Sequence, residues 1–68
     1  DVMYRNMKEH FKNSKVNELD GLRLDFSDKS WIHLRPSNTE PIIRLIGEAQ
    51  TKERIDTLFE ETKKLLAL

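Results

Sequence analysis

Two short runs in this chain alternate apolar and polar residues, and they leave little freedom about what it folds into. Leu22, Leu24 and Phe26 alternate with Arg23 and Asp25, and Ile32 and Leu34 alternate with Trp31, His33 and Arg35. A period of two puts every second side chain on the same face of a strand, so each run predicts a half-buried strand with a polar outer face. Ser27-Asp28-Lys29-Ser30 between them is a polar turn, and Asp20-Gly21 ahead of them is a turn signal between extended runs. Strands with one apolar face need a cover. Ile55, Leu58, Phe59, Thr62, Leu65 and Leu66 supply it, recurring at helical spacing. Thr51 is the N-cap expected for that helix, with Glu53 in its first turn and Lys63 and Lys64 near its end, where the dipole favours each charge.

The remaining segments complete the pattern. Met3, Tyr4, Met7 and Phe11 fall close to helical spacing within 2–12, which predicts a first helix ended by Asn13-Ser14; Lys15 to Leu19 predicts a brief strand. Ile42 to Glu48 predicts a further strand with Ile43 and Leu45 on one face and Ile42, Arg44 and Ile46 on the other. Both faces are partly apolar, so this strand is expected centrally or against a neighbouring domain. The economical arrangement is α+β: a small antiparallel sheet of about four strands with two helices packed on one face.

Size and composition bound the rest. Sixty-eight residues make a single domain over 1–68, which buries only about 60% of its unfolded surface. Cysteine is absent, which excludes a disulfide framework and thiolate metal ligation and fits a cytoplasmic setting. Twelve basic residues balance twelve acidic ones, so bulk charge gives no pull toward nucleic acid or anionic lipid. No apolar run is long enough to span a membrane, and no leader pattern is present. The first residue is Asp1 rather than Met, and Val2 to Phe11 reads as the inside of a fold, so a piece of a larger protein is expected.

Against that neutral background one loop stands out. Arg35-Pro36-Ser37-Asn38-Thr39-Glu40-Pro41 sets a fixed positive charge, two hydroxyls and an amide in a turn bracketed by prolines. The prolines hold φ near −65° and bias the preceding residues toward extended backbone, reducing the entropy lost on closing around a ligand. Ser37, Asn38 and Thr39 offer side-chain donors, consecutive backbone N–H groups can form an anion nest, and Arg35 can fork two hydrogen bonds onto an oxyanion. Antiparallel pairing can bring Arg44 to the same ligand or leave it on the flank. These are the groups that hold a phosphate, although Ser, Asn and Pro equally suit an ordinary hairpin turn.

The longer string Asp20-Gly21-Leu22-Arg23-Leu24-Asp25-Phe26, Trp31, Arg35 to Pro41, Arg44 and Glu48-Ala49 resembles the C-terminal domain of the α-D-phosphohexomutases. These are the phosphoglucomutases, phosphomannomutases and phosphoglucosamine mutases, and the resemblance runs from about Lys15 to Leu66. It implies a TBP-like α+β domain, the last of four in an enzyme moving a phosphoryl group between the 1- and 6-positions of a hexose. A phosphoserine in the first domain would carry out the transfer, with Mg²⁺ held in the second and the sugar read by the third. The positions matching the family's grip on the non-transferring phosphate are Arg35, Ser37, Asn38 and Thr39, with Glu40 and Arg44 in support. The implied partners are a phosphosugar substrate and the other three domains. No catalytic residue, metal ligand or cofactor is expected in this chain, and alone it is expected to be inactive.

Other candidates are weaker. His33 shares a strand face with Arg35 but is expected to be structural. Trp31 is expected at the sheet face or a domain contact rather than stacked on a sugar. His10 has no partner at useful spacing, and Tyr4, Met7 and Phe11 read as core. Asp25 and Asp28 are poorly spaced for a Mg²⁺ cage, and Glu40 is expected to pair with a guanidinium and orient it. The rival function is a non-enzymatic α+β binding module, although neutral charge and the lack of a paired aromatic platform argue against RNA.

Overall fold

The alternating runs form neighbouring strands of one sheet. In the computed structural model, which describes residues 2–37 and 39–67, α1 (Val2–His10) is followed by β1 (Lys15–Asn17), β2 (Leu22–Asp25), β3 (Trp31–Pro36), β4 (Ile43–Glu48) and α2 (Lys52–Leu66). The four strands pair antiparallel in sequence order, which is the expected α+β arrangement.

Register decides which side chains meet the helices. Leu22 stands opposite Leu34 and Leu24 opposite Ile32, so these four share one face and are almost wholly buried, with Met7 and Phe11 from the α1 side and Leu58 of α2 closing over them. Burying each such side chain stabilises the fold by about 1.5–3 kcal/mol. Gly47 faces Ile32 across the β3–β4 pair. A Cβ there would lie 2.9 Å from Ile55 Cδ1 and 3.0 Å from Phe59 Cε1, so the missing side chain lets α2 lie directly on β4.

α2 is built as its sequence indicates. Thr51 Oγ1 accepts from Arg54 N at 3.1 Å, Leu58 and Thr62 are buried, and Ala67 closes the helix in the left-handed region at φ 57°. α1 is shorter than expected. Ser14 N and Oγ both donate to the Phe11 carbonyl, at 2.9 and 2.6 Å, which turns the chain toward β1. β1 also stops early, at Asn17, whose Oδ1 takes the Leu19 amide at 2.9 Å and draws it away from the ladder.

Of the two positions expected for β4, the central one is excluded: β4 is an outer strand of the sheet. Leu45 and Gly47 reach the core and α2, whereas Ile42, Ile43 and Ile46 remain 43%, 38% and 47% exposed. The two-sided apolar character of this strand therefore reflects uncovered surface beyond the helices.

Candidate functional site

The loop between β3 and β4 is closed at its base by Ser37 N, which donates to the Ile42 carbonyl at 3.0 Å, and by Ile42 N, which donates to the Glu40 carbonyl at 2.8 Å. The second bond uses the Ile42 amide and explains why β4 starts one residue later than expected. Ser37 Oγ is the hub inside the loop. It accepts from Thr39 N at 3.3 Å and Glu40 N at 3.2 Å, and lies 3.4 Å from Thr39 Oγ1. The two backbone N–H groups do converge, but on the serine oxygen. A hydroxyl has two acceptor positions and one O–H. With both acceptor positions engaged, the Ser37 O–H is the donor in the contact with Thr39 Oγ1. Asn38 lies outside the described residues.

The sheet register sets the charges. Arg35 pairs directly with Arg44 across β3 and β4, so both guanidinium groups leave the same face at the same level. They flank an open cavity of about 470 Å³ walled by Pro36 and Ser37 on the loop side, by Asp20-Gly21 on another and by Tyr4 of α1. Like charges directly opposite on a sheet repel, and the Asp20 carboxylate offsets this with its Oδ1 3.5 Å from Arg35 Nε. Among the described residues Arg44 has no ion pair. Thus Arg35, Ser37 and Arg44 come together around one space, while Thr39 and Glu40 are exposed and outside its described lining.

Asp20 holds the position foreseen for Glu40: the carboxylate beside Arg35 comes from the β1–β2 turn, not from the loop. That turn is fixed from below. His33 Nε2 donates to the Asp20 carbonyl, which gives this histidine a structural task. Gly21 sits at φ 71°, and a Cβ there would overlap the Leu34 carbonyl oxygen and come 3.3 Å from Arg35 Cα. Only glycine lets the turn lie this close to β3. Asp20-Gly21 was legible as a turn, but its docking beside Arg35 depends on register, which local pattern does not carry. Tyr4, expected in the core, packs against it and also walls the cavity.

The remaining candidates are engaged elsewhere. Trp31 lies under the Arg23 guanidinium, 4.2 Å from ring centroid to Cζ, and Arg23 is forked onto Asp25 at 3.0–3.3 Å, a hydrogen bond that raises its pKa further. His10 has a partner that sequence spacing did not reveal: its Nε2 is 3.6 Å from Glu61 Oε1 on α2. Asp28 accepts from the Ser30 hydroxyl and amide and from Arg54 Nε at 3.0 Å. The Ser30 hydroxyl, more than any other contact, holds the Asp28 carboxyl below its ordinary pKa. With Asp25 and Asp28 committed to cations and hydroxyls, they do not fit a Mg²⁺ cage, and among the described residues no group of three His, Cys, Asp or Glu side chains is placed to hold a metal ion. No helix among the described residues is long and apolar enough to cross a membrane.

Comparison with known proteins agrees with this architecture. Residues 4–65 match the family model of the phosphoglucomutase/phosphomannomutase C-terminal domain. The chain is 46% identical over 61 residues to a phosphomannomutase of Methanocaldococcus jannaschii, covering 90% of this chain and 13% of that protein. It is 50% identical over 48 residues to a probable phosphoglucosamine mutase of Pyrococcus abyssi, covering 71% and 10%. It is also 50% identical over 46 residues to a phosphopentomutase of Thermococcus kodakarensis, covering 68% and 10%. The chain spans 10–13% of the length of these relatives. With 62 consecutive residues matched and the four-stranded, two-helix fold in place, the chain belongs to the phosphoglucomutase/phosphomannomutase C-terminal domain family.

Proposed function

We propose that this chain is the phosphate-clamping part of a phosphosugar mutase, and that the cavity between β3, β4 and the Asp20-Gly21 turn receives the phosphate that is not being transferred. The observation that carries this reading is the direct pairing of Arg35 with Arg44 at a cavity that Ser37 also lines. Two guanidinium groups supply several N–H donors that match phosphate oxygens in pairs. The Ser37 O–H would add a donor from the loop by turning from Thr39 Oγ1 to the ligand, and Asn38 and Thr39 would complete the cradle as the loop closes. Glu40 would act from outside the contact shell.

Such a cradle holds a phosphate without reading the sugar behind it. That suits a reaction whose bisphosphorylated intermediate must turn so that either end faces the transferring phosphoserine. It also suits a family whose relatives are named for mannose, glucosamine and pentose phosphates. Sugar choice, phosphoryl transfer and Mg²⁺ binding would then belong to other domains of a larger, cytoplasmic enzyme. The exposed Ile43 and Ile46 of β4, with Ile42 just before it, offer those domains an apolar contact. Holding the far end of the substrate contributes to positioning, an effect on the order of 7–11 kcal/mol in the best cases.

Titration of the chain with glucose 1-phosphate, followed by ¹H–¹⁵N NMR, is expected to shift Arg35, Ser37, Thr39 and Arg44, with weak affinity. In the full-length mutase, Arg35→Ala is expected to lower kcat/KM by about tenfold or more, the value of one charge-assisted hydrogen bond. An unchanged kcat/KM would refute the clamp.

A further inference from the structure

We infer that Asp20 is a built-in competitor for the bound anion: its carboxylate neutralises Arg35 while the cavity is empty and keeps the affinity for phosphate low when it is filled. This rests on the reading of the cavity as a phosphate site and says how that site is tuned.

The geometry separates two roles a carboxylate beside an arginine can have. An orienting carboxylate makes short, aligned hydrogen bonds, as Asp25 does to Arg23 at 3.0–3.3 Å through two nitrogens. Asp20 does not. Its single contact to Arg35 is 3.5 Å, and the two side chains are 56% and 64% exposed, so it acts through charge rather than through a fixed hydrogen bond. Its place is nevertheless fixed. The Asp20 carbonyl is held by His33, and Gly21 presses the turn against Leu34 and Arg35. The Asp20 main chain is therefore anchored at the wall of the cavity, which places its carboxylate beside Arg35 in a space that Arg44 also lines.

The charge count follows. Arg35 and Arg44 bring two positive charges and Asp20 one negative, leaving a formal +1 in the cavity. In the empty state Asp20 relieves the repulsion between two arginines in direct register. A phosphate dianion does the same and then faces Asp20 as a like charge. Binding must either displace the carboxylate from Arg35 or bear its repulsion, and both weaken it.

The test is a titration of the chain with inorganic phosphate at constant ionic strength, followed through backbone amides and the Arg35 Nε–Hε resonance. Asp20→Asn keeps the turn, because Asn-Gly suits it as well as Asp-Gly and the main-chain carbonyl that His33 binds is unchanged. It is expected to bind phosphate about two- to fivefold tighter, the range of an exposed charge pair. Glu60→Gln removes the same charge from the exposed face of α2 and is expected to leave the affinity unchanged. Equal or weaker binding by Asp20→Asn overturns the proposal, as does an equal gain in Glu60→Gln. A ligand-free arm keeps the two readings apart: in Asp20→Asn without phosphate the Arg35 Hε resonance is expected to move, and its failure to move overturns the proposal alone. A wild-type chain that binds no phosphate while that resonance does move overturns the cavity's assignment, and the competitor role with it.

Discussion

Replacing Gly21 with alanine tests how the site is assembled, because two separate costs meet at that residue. Its φ of 71° lies in the left-handed region, where an L side chain costs about 1–2 kcal/mol. The added Cβ would also overlap the Leu34 carbonyl oxygen and crowd Arg35 Cα at 3.3 Å. Both are backbone atoms of a paired strand that cannot swing aside, so an overpacking cost of about 1–3 kcal/mol applies. Together these make about 2–5 kcal/mol, against a total of about 3–10 kcal/mol for a chain of this length. With a urea dependence of about 1 kcal/mol/M, even the lower figure moves the midpoint by about 2 M. Urea unfolding followed by circular dichroism and Trp31 fluorescence reads this directly. Gly21→Asn separates the terms, since Asn tolerates the left-handed region but still carries the Cβ; it is expected to recover about 1 kcal/mol of the loss. A Gly21→Ala midpoint within about 0.5 M of the wild type would refute the close docking of the turn on β3.

Gly47→Ala brings a methyl group within 2.9 Å of Ile55 Cδ1 and of the Trp31 carbonyl, and should lower stability by about 1–3 kcal/mol in the same urea assay. Ala67→Gly removes a left-handed alanine at the end of α2 and should raise stability by about 0.5–1 kcal/mol in that assay. Asp28 is more acidic folded than its ordinary value of 3.8. Its ionised form therefore stabilises the fold at neutral pH, and that contribution is lost as pH falls through the folded value. The stability advantage of wild type over Asp28→Asn should accordingly shrink as the pH falls below about 5, measured by thermal unfolding.

What local pattern carries, the sequence made legible. The alternation of Leu22 to Phe26 and Ile32 to Arg35, the Thr51 cap and the helical stripe from Ile55 to Leu66 each depend on residues close in the chain, and each appears where expected. Strand ends were less legible. Asn17 and Glu40 each take a nearby amide, Asn17 with its side chain and Glu40 with its carbonyl, ending β1 early and starting β4 late. The position of β4 at the rim was obscured for another reason. Apolar residues on both faces read the same whether a strand is buried by neighbours or left uncovered. In the site, Arg35, Ser37 and Arg44 could be named from the loop and its flanks. The docking of Asp20 and Gly21 beside Arg35, and the bond from His33 that holds the turn there, could not, because they depend on strand register between segments more than ten residues apart.

That division bears on how the site works. On the proposed reading the loop residues bring attraction for an anion, and they are contiguous enough to be recognised as a motif. The opposing charge is non-local and reaches the cavity only once β1, β2 and β3 are in register. A clamp made of attraction alone would hold substrate, intermediate and product equally well, and such uniform binding does not raise kcat. On the proposed reading the phosphate must also be let go so that the intermediate can turn. A carboxylate waiting beside Arg35 supplies a partner for the guanidinium as the phosphate leaves, so the departing anion does not strand two arginines in repulsion. Tightening the site through Asp20→Asn should therefore lower KM in the full-length mutase while lowering kcat as well, and a fall in KM with kcat preserved would show that release of this phosphate does not limit turnover.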